Sequence, residues 1–356
     1  MYSMAKLNEG DVMEGVFAIA LAQLFAYDRI DKGKLNQIRA QIEPKMFQTG
    51  RYETIVRRFS EGSPRDNIEV KLIVRLKYQS TMDAFGPNFE IMLEKASDVG
   101  NIGRKIDTLV AYTNSKYREK IRRIRNAYLK NNVSDDVAIT VTADGIAGET
   151  SGGEIKGDLD VDVVINGQTY LDERLNFSMK SGSKTLANLS PFNGMMDILR
   201  RFGIQLKDEE KYRKILGEVL ATARTSKEKK LKVQTIKELY SDVKKGLAGL
   251  SSTPQLKQAA FQLFRDVTFG SDLAEVVDVD KTKVKEITLD GINQLEQETT
   301  SVEAVMVGDN IKFRLNPSNK ELFQLRFKNR SSEVNGEFNI KELKFYVEAG
   351  KAAYAS

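Results

Sequence analysis

The chain contains no cysteine and no histidine. Without cysteine there are no disulfides and no thiolate chemistry. The missing histidine excludes more. It is the usual general base near neutral pH and the commonest zinc ligand. Serine–histidine and cysteine–histidine triads, histidine-based nucleases and zinc sites built on Cys and His therefore cannot exist here. Any catalysis must run on carboxylates, Lys, Arg, Tyr, Ser or Thr, with a hard, oxygen-preferring metal as the natural helper. Nor is there an apolar run of the roughly 18 residues that a spanning helix needs. The opening "MYSMAKLNEGDVMEG" lacks the basic-then-apolar order of a secretion signal. The expectation is a protein with no membrane partner and a cytoplasmic location.

What is present is a globular composition. The chain has 356 residues, 41% of them apolar and 29% charged, enough for one large domain or two ordinary ones. The net charge of +5 permits a polyanionic partner without requiring one. Its distribution is more telling. "KYREKIRRIRNAYLKNN", residues 116–132, carries seven basic residues against one acidic. "RTSKEKKLKVQTIKELYSDVKK" is a second basic segment. Both have helical patterns, and solvated helix faces would explain them as well as a ligand would.

Periodicity organises the rest. Met13, Val16, Phe17, Ala20, Leu21 and Leu24 predict a helix over 11–27, with Asp11 and Glu14 in capping-box positions. Ile68, Val70, Leu72, Val74 and Leu76 alternate as a half-buried strand does. A further strand is predicted at "NFEIML", a long helix over about 98–131 and another strand at "DDVAITVTADG". "PFNGMMDILRRFG" reads as a short helix ending at Gly203. Residues 204–300 read as mainly helical. "NIKFRLN", "LFQLRFKNR" and "IKELKFYVEAG" alternate again as strands and are expected to rejoin the first sheet.

The stretch "GDLDVDVVINGQTYLDERLNFSMKSGSKT", residues 157–185, carries the candidate chemistry. Residues two apart on a strand share a face. Asp158, Asp160 and Asp162 therefore point one way, and Leu159, Val161 and Val163 point into a core. Asn166-Gly167 is a strong hairpin signal, and the returning strand puts Ser178 and Lys180 on one face. Three like charges in a row are unfavourable unless the face is wet or a cation sits on it. Carboxylates beside a lysine can hold a hard cation and orient a water. The plain alternative is the wet side of an antiparallel sheet. Ser181-x-x-Lys184 has the spacing of some acyl-transfer serines, but its companion motifs are absent. A phosphate loop fails because Phe177 and Ser183 stand where glycines are required.

"KGDLDVDVVINGQTY…LNFSMKSGS" resembles the core of the PD-(D/E)xK nuclease superfamily. In that family one strand bears an acid, and the next bears an acid-x-Lys triplet. Lys180 matches the lysine, Asp158 or Asp160 the strand acid, and "GDVMEGVFAIALAQLF" the early helix, with Glu14 in place of its acid. Ser178 replaces the acid of the triplet. The resemblance spans 8–27 and 154–195, and the tail looks like the closing strands of phage-encoded relatives. It implies an α+β fold in which a mixed central sheet flanked by helices forms a restriction-endonuclease-like core over 1–203 and 301–356. Residues 204–300 would then be a mainly helical insertion or subdomain. It further implies Mg²⁺- or Mn²⁺-dependent DNA phosphodiester hydrolysis in the cytoplasm, the host's if the chain is phage-encoded. Asp158, Asp160 and Glu14 would hold the metal, Lys180 would orient the water, and Ser178 would be a secondary ligand or hydrogen-bond donor. Arg122, Arg123, Arg125, Arg326 and Lys328 are the candidate DNA contacts, and a homodimer stays open. The alternative is a non-catalytic nucleic-acid-binding or phage structural protein on a degenerate nuclease scaffold.

Overall fold

The structure, a computed structural model, describes residues 9–42, 50–58, 68–76, 101–129, 137–144, 157–165, 167–169, 175–189, 192–216, 225–328, 333–334, 337–338 and 344–354. In chain order the elements begin with α1 (Glu9–Tyr27), α2 (Lys32–Ile42), β1 (Gly50–Arg57), β2 (Ile68–Leu76), α3 (Asn101–Leu129), β3 (Val137–Asp144), β4 (Leu159–Ile165), β5 (Gln168–Thr169) and β6 (Leu175–Lys180). They continue with β7 (Thr185–Leu189), α4 (Asn193–Arg201), α5 (Glu209–Leu216), α6 (Ser226–Ala248), α7 (Pro254–Phe269), β8 (Glu275–Val279) and β9 (Val284–Ile287). Last come α8 (Leu289–Glu298), β10 (Ser301–Val307), β11 (Asn310–Asn316), β12 (Lys320–Lys328), β13 (Glu333–Val334), β14 (Glu337–Phe338) and β15 (Lys344–Ala349). The strand expected at "NFEIML" lies outside the described residues.

The chain forms two compact units. One comprises 1–183 and 269–286, the other 184–268 and 287–356. The first holds a mixed sheet in the order β1-β2-β3-β4-β6-β8-β9, with β5 paired to β4. The β2–β3 and β6–β8 pairs are parallel, and the β3–β4 and β4–β6 pairs antiparallel. This is the expected α+β arrangement of a mixed sheet with helices packed on it. Ile165 pairs with Gln168, and Gly167 adopts φ +79°, the left-handed conformation that a tight hairpin turn demands and glycine supplies.

The helix α1 does more than present one apolar stripe. From Val12 to Ala26 nearly every residue is buried, Glu14 being half-exposed. A helix apolar all round belongs in the interior, and α1 lies between α3 and the sheet. Phe17 sits edge-on to Phe177 of β6 with ring centroids 5.1 Å apart, and Tyr117 of α3 meets both rings at 5.8 and 5.4 Å. The helix starts at Glu9, so Asp11 stands in its first turn rather than at its cap; the Asp11 side chain lies outside the described residues.

The second unit contains the sheet β10-β11-β12-β15-β7. One face buries Val302, Ile311, Phe313, Leu315, Phe323, Leu325, Phe327, Phe345 and Val347. Two expectations are corrected here. The tail strands do not rejoin the first sheet; they pair with β7 in a sheet of their own. Residues 204–300 are not one helical insertion, because β8 and β9 lie within that span and belong to the first sheet. Alternation reports that a segment is a strand, whereas its partner depends on long-range backbone pairing that periodicity does not encode.

The aromatic cluster anchors α1 to the sheet. Phe17→Ala is expected to cost about 3–5 kcal/mol, read as a shift in the urea-unfolding midpoint. A loss below about 1 kcal/mol would show that the three rings do not hold the helix in place.

Candidate active site on the polar face of the first sheet

Strand alternation divides β4 and β6 cleanly. Leu159, Val161, Val163, Leu175, Phe177 and Met179 are buried in the core beneath α1 and α3. Register places Asp160 opposite Asn176 and Leu159 opposite Phe177, and Asp158 follows in line opposite Ser178. Residues opposite each other share a face, so Asp158, Asp160, Asp162, Asn176, Ser178 and Lys180 all point away from α1. On β3, Thr140 and Thr142 lie in register with Asp162 and Asp160 and extend this polar face.

The three aspartates are not equivalent. Asp162 is exposed, which is the wet-sheet outcome. Asp160 is half-buried. Asp158 keeps some surface as a residue, but its carboxyl group is packed in and bonded. Its Oδ2 accepts the Met179 N–H at 2.7 Å and the Ser178 hydroxyl at 3.2 Å. Its own N–H donates to the Phe177 carbonyl at 2.7 Å. Burial pushes the Asp158 carboxyl above the usual carboxylate range. The Lys180 ammonium, the Met179 N–H and the Ser178 hydroxyl pull it back, and Asp272 pushes it up further. Ser178, the departure from the acid-x-Lys pattern, is therefore a hydrogen-bond donor to the strand acid. Among the described residues Lys180 makes no ion pair.

A residue that motif reasoning missed lies on the other side of β6. The parallel strand β8 puts Asp278 in register with Lys180, and paired residues of parallel strands share a face. Asp278 is only 3% exposed. Its Oδ1 accepts the Gly182 N–H at 2.7 Å, and burial raises its carboxyl. Lys105 of α3, 6% exposed, donates to Ser181 Oγ at 2.9 Å and also acts on the Asp278 charge. The Ser-x-Lys strand thus runs between two buried carboxylates, one on each neighbouring strand. The signal in sequence was weak: "EVVDV" is a short apolar run with one acid, nearly a hundred residues downstream.

Asp272 buttresses the strand end. It accepts the Gly157 N–H at 2.7 Å and the Asn176 side-chain amide at 3.0 Å. A Cβ at Gly157 would stand 1.9 Å from Asn176 Oδ1 and 2.8 Å from Asp272 Oδ2, so the glycine just before Asp158 is there for close approach.

Other expected residues fall differently. Glu14 sits on α1, the helix that covers the Phe177 face. Among the described residues no group of three or more His, Cys, Asp or Glu side chains gathers to hold a metal, so Glu14, Asp158 and Asp160 do not form one three-carboxylate cluster. Strand alternation is the cause, since it sends the acids to the side that α1 does not occupy. Asp158 and Asp160, two apart on one strand face, remain. Mg²⁺ commonly takes one or two carboxylates, keeps waters and adds phosphate oxygens, so the pair fits that minimal requirement.

Three basic residues of the α3 segment, Lys116, Arg118 and Arg122, are committed to structure. Arg122 Nε bonds both Asp28 carboxylate oxygens at 3.2 and 3.0 Å. Arg118 donates to the Asp28 carbonyl, Lys116 pairs with Glu286, and Tyr117 is core. Arg123 is exposed. The side chains of Arg125 and Lys328 lie outside the described residues. Arg326 on β12 is exposed and pairs with Glu348 at 2.8 Å.

No family model, no curated protein and no solved structure matches the chain. No helix among the described residues is long and apolar enough to cross a membrane.

Two measurements probe this geometry. A raised carboxyl binds its proton more tightly in the folded state. Its stabilising contribution is therefore whole below the unfolded value of about 4 and is lost as pH rises through the folded value. Asp158→Asn should accordingly gain stability over the unmodified chain progressively from about pH 4 toward neutrality; a difference that stays flat would rule out burial as the controlling cause. Gly157→Ala should cost about 1–3 kcal/mol in chemical denaturation by driving Asn176 and Asp272 off the strand end, and an unchanged midpoint would contradict that tight approach.

Proposed function

We propose that this chain is a metal-dependent DNA phosphodiesterase with a restriction-endonuclease-like core in its first unit. The observation that carries the reading is the buried, hydrogen-bonded Asp158 carboxyl facing Lys180 across the β4–β6 pair. Asp158 and Asp160 would hold Mg²⁺ or Mn²⁺. Such an ion would supply Lewis-acid activation of a water and neutralisation of phosphate charge. The Lys180 ammonium, without an ion pair among the described residues, orients the attacking water by hydrogen bonding and stabilises negative charge that builds on the phosphoryl oxygens. Ser178 holds the Asp158 carboxyl in place through its hydroxyl. Asp278 lies in register with Lys180 on the neighbouring strand and adds a second buried carboxyl beside the site. No histidine is needed at any step.

Ser178 in place of an acid, together with the absence of a three-carboxylate cluster among the described residues, favours a second reading. In it the same scaffold binds nucleic acid without cutting it. One experiment separates the two. Supercoiled plasmid is incubated with the protein in Mg²⁺, in Mn²⁺ and in EDTA. The catalytic reading expects cutting only with metal, reduced at least about 100-fold in Lys180→Ala. Binding without cutting under every metal condition supports the non-catalytic reading, and cutting that persists in Lys180→Ala removes the lysine from the site.

A further inference from the structure

In the second unit, α6 is held by its apolar side. Val233, Ile236, Leu239, Tyr240, Val243 and Leu247 are at most 4% exposed. A Thr225–Glu228 capping box closes its N-terminus. The opposite side carries Lys227, Lys230, Lys237 and Lys245, all exposed. At 100° per residue these four, with exposed Gln234, fall on one narrow stripe. From first to last it is about 27 Å long at 1.5 Å per residue. None of the four makes a hydrogen bond or ion pair among the described residues. The one acid on the stripe, Glu238, is engaged by Lys211 at 2.8 Å from α5. Lys244, beside the stripe, turns instead to Asp309 at 3.1 Å. Like charges three and seven residues apart repel and do nothing for helix stability, so the fold has no use for this row.

We infer that this lysine stripe is a docking surface for the phosphate backbone of nucleic acid. The assignment rests on the nucleic-acid partner of the proposed function but not on its chemistry. Three features select the partner. A helix that inserts at a lipid surface must offer its apolar side outward, and here that side is buried. A protein interface is enriched in aromatic and Arg anchors and depleted in Lys, and here the only exposed apolar residue on the stripe is Leu231, 51% exposed. Lysines on flexible stems act as point charges without the fixed fork of Arg, which suits a continuous row of phosphates met in any register. The stripe reads charge and not sequence. It also supplies an electrostatic surface that Arg122 and Arg326, engaged in ion pairs, do not.

The test is fluorescence anisotropy of a labelled duplex DNA in EDTA, with salt titrated, for the full chain and for the combined variant Lys227→Gln, Lys230→Gln, Lys237→Gln and Lys245→Gln. Each lost phosphate contact removes about 0.9 from the slope of log affinity against log salt. The variant should therefore lose about 3.6, equal to about 150-fold of the weakening between about 50 and 200 mM salt. Circular dichroism and the melting temperature should be unchanged, since all four side chains are exposed. An unaltered slope in a folded variant overturns the inference. So does a parent chain that ignores duplex DNA and binds phosphatidylserine vesicles or polyglutamate. A chain that binds with the stripe's slope and never cuts overturns the catalytic reading alone, whereas one that cuts with a slope indifferent to the four lysines overturns this inference alone.

Discussion

The packing of Phe17 and Tyr117 on Phe177 decides which side of the first sheet is core. Once Phe177 is buried, the two-residue period of β6 allows Ser178 and Lys180 only one direction. Leu159, opposite Phe177, imposes the same choice on β4 and sends Asp158 and Asp160 after them. A one-residue slip in register would bury three carboxylates under α1, at a cost that unpaired charge makes prohibitive. The apolar interior thus assembles the polar face without any direct attraction among its members.

What happens on that face is set by depth and not by residue type. Asp162 remains in water, Asp160 has one carboxylate oxygen buried, and Asp158 is packed in and bonded, so chemically identical side chains occupy different settings. Burial opposes the Asp158 charge, while a backbone N–H, a hydroxyl and a nearby ammonium support it. Asp278 meets the same opposition on β8 with the Gly182 N–H as its support. Two carboxyls held above their ordinary range on either side of one lysine-bearing strand form the kind of perturbed group that marks functional surfaces.

Much of this was legible before any coordinates. The alternation in "IEVKLIVRL" and "LDVDVVI" predicts strands where β2 and β4 stand, and Asn166-Gly167 predicts the turn that pairs Ile165 with Gln168. Spacing puts Asp158 with Asp160 and Ser178 with Lys180, but the face these pairs share across the strands is set by register: the Ile165–Gln168 turn carried on unbroken would set Asp158 opposite Leu175, whereas Leu159 pairs with Phe177. A helical acid such as Glu14 carries in the sequence no record of which side of a sheet its helix will cover. For Arg122 and Arg326 composition shows a charge and not its partner, and the partners are Asp28 and Glu348, 94 and 22 residues away.

By itself the amino-acid sequence determined which chemistry is available. Having neither histidine nor cysteine, it left carboxylates and lysine, and its local periods placed them on strands and helices. Only the tertiary structure decided that the tail strands form a separate sheet, that β8 brings Asp278 beside Lys180, and that Lys227, Lys230, Lys237 and Lys245 of α6 stay outside while Arg122 of α3 and Arg326 of β12 find acids. The reason is physical. A local period depends on a few neighbouring residues, whereas strand partners, burial depth and ion pairing depend on chain segments tens to hundreds of residues apart, which meet only when the core closes.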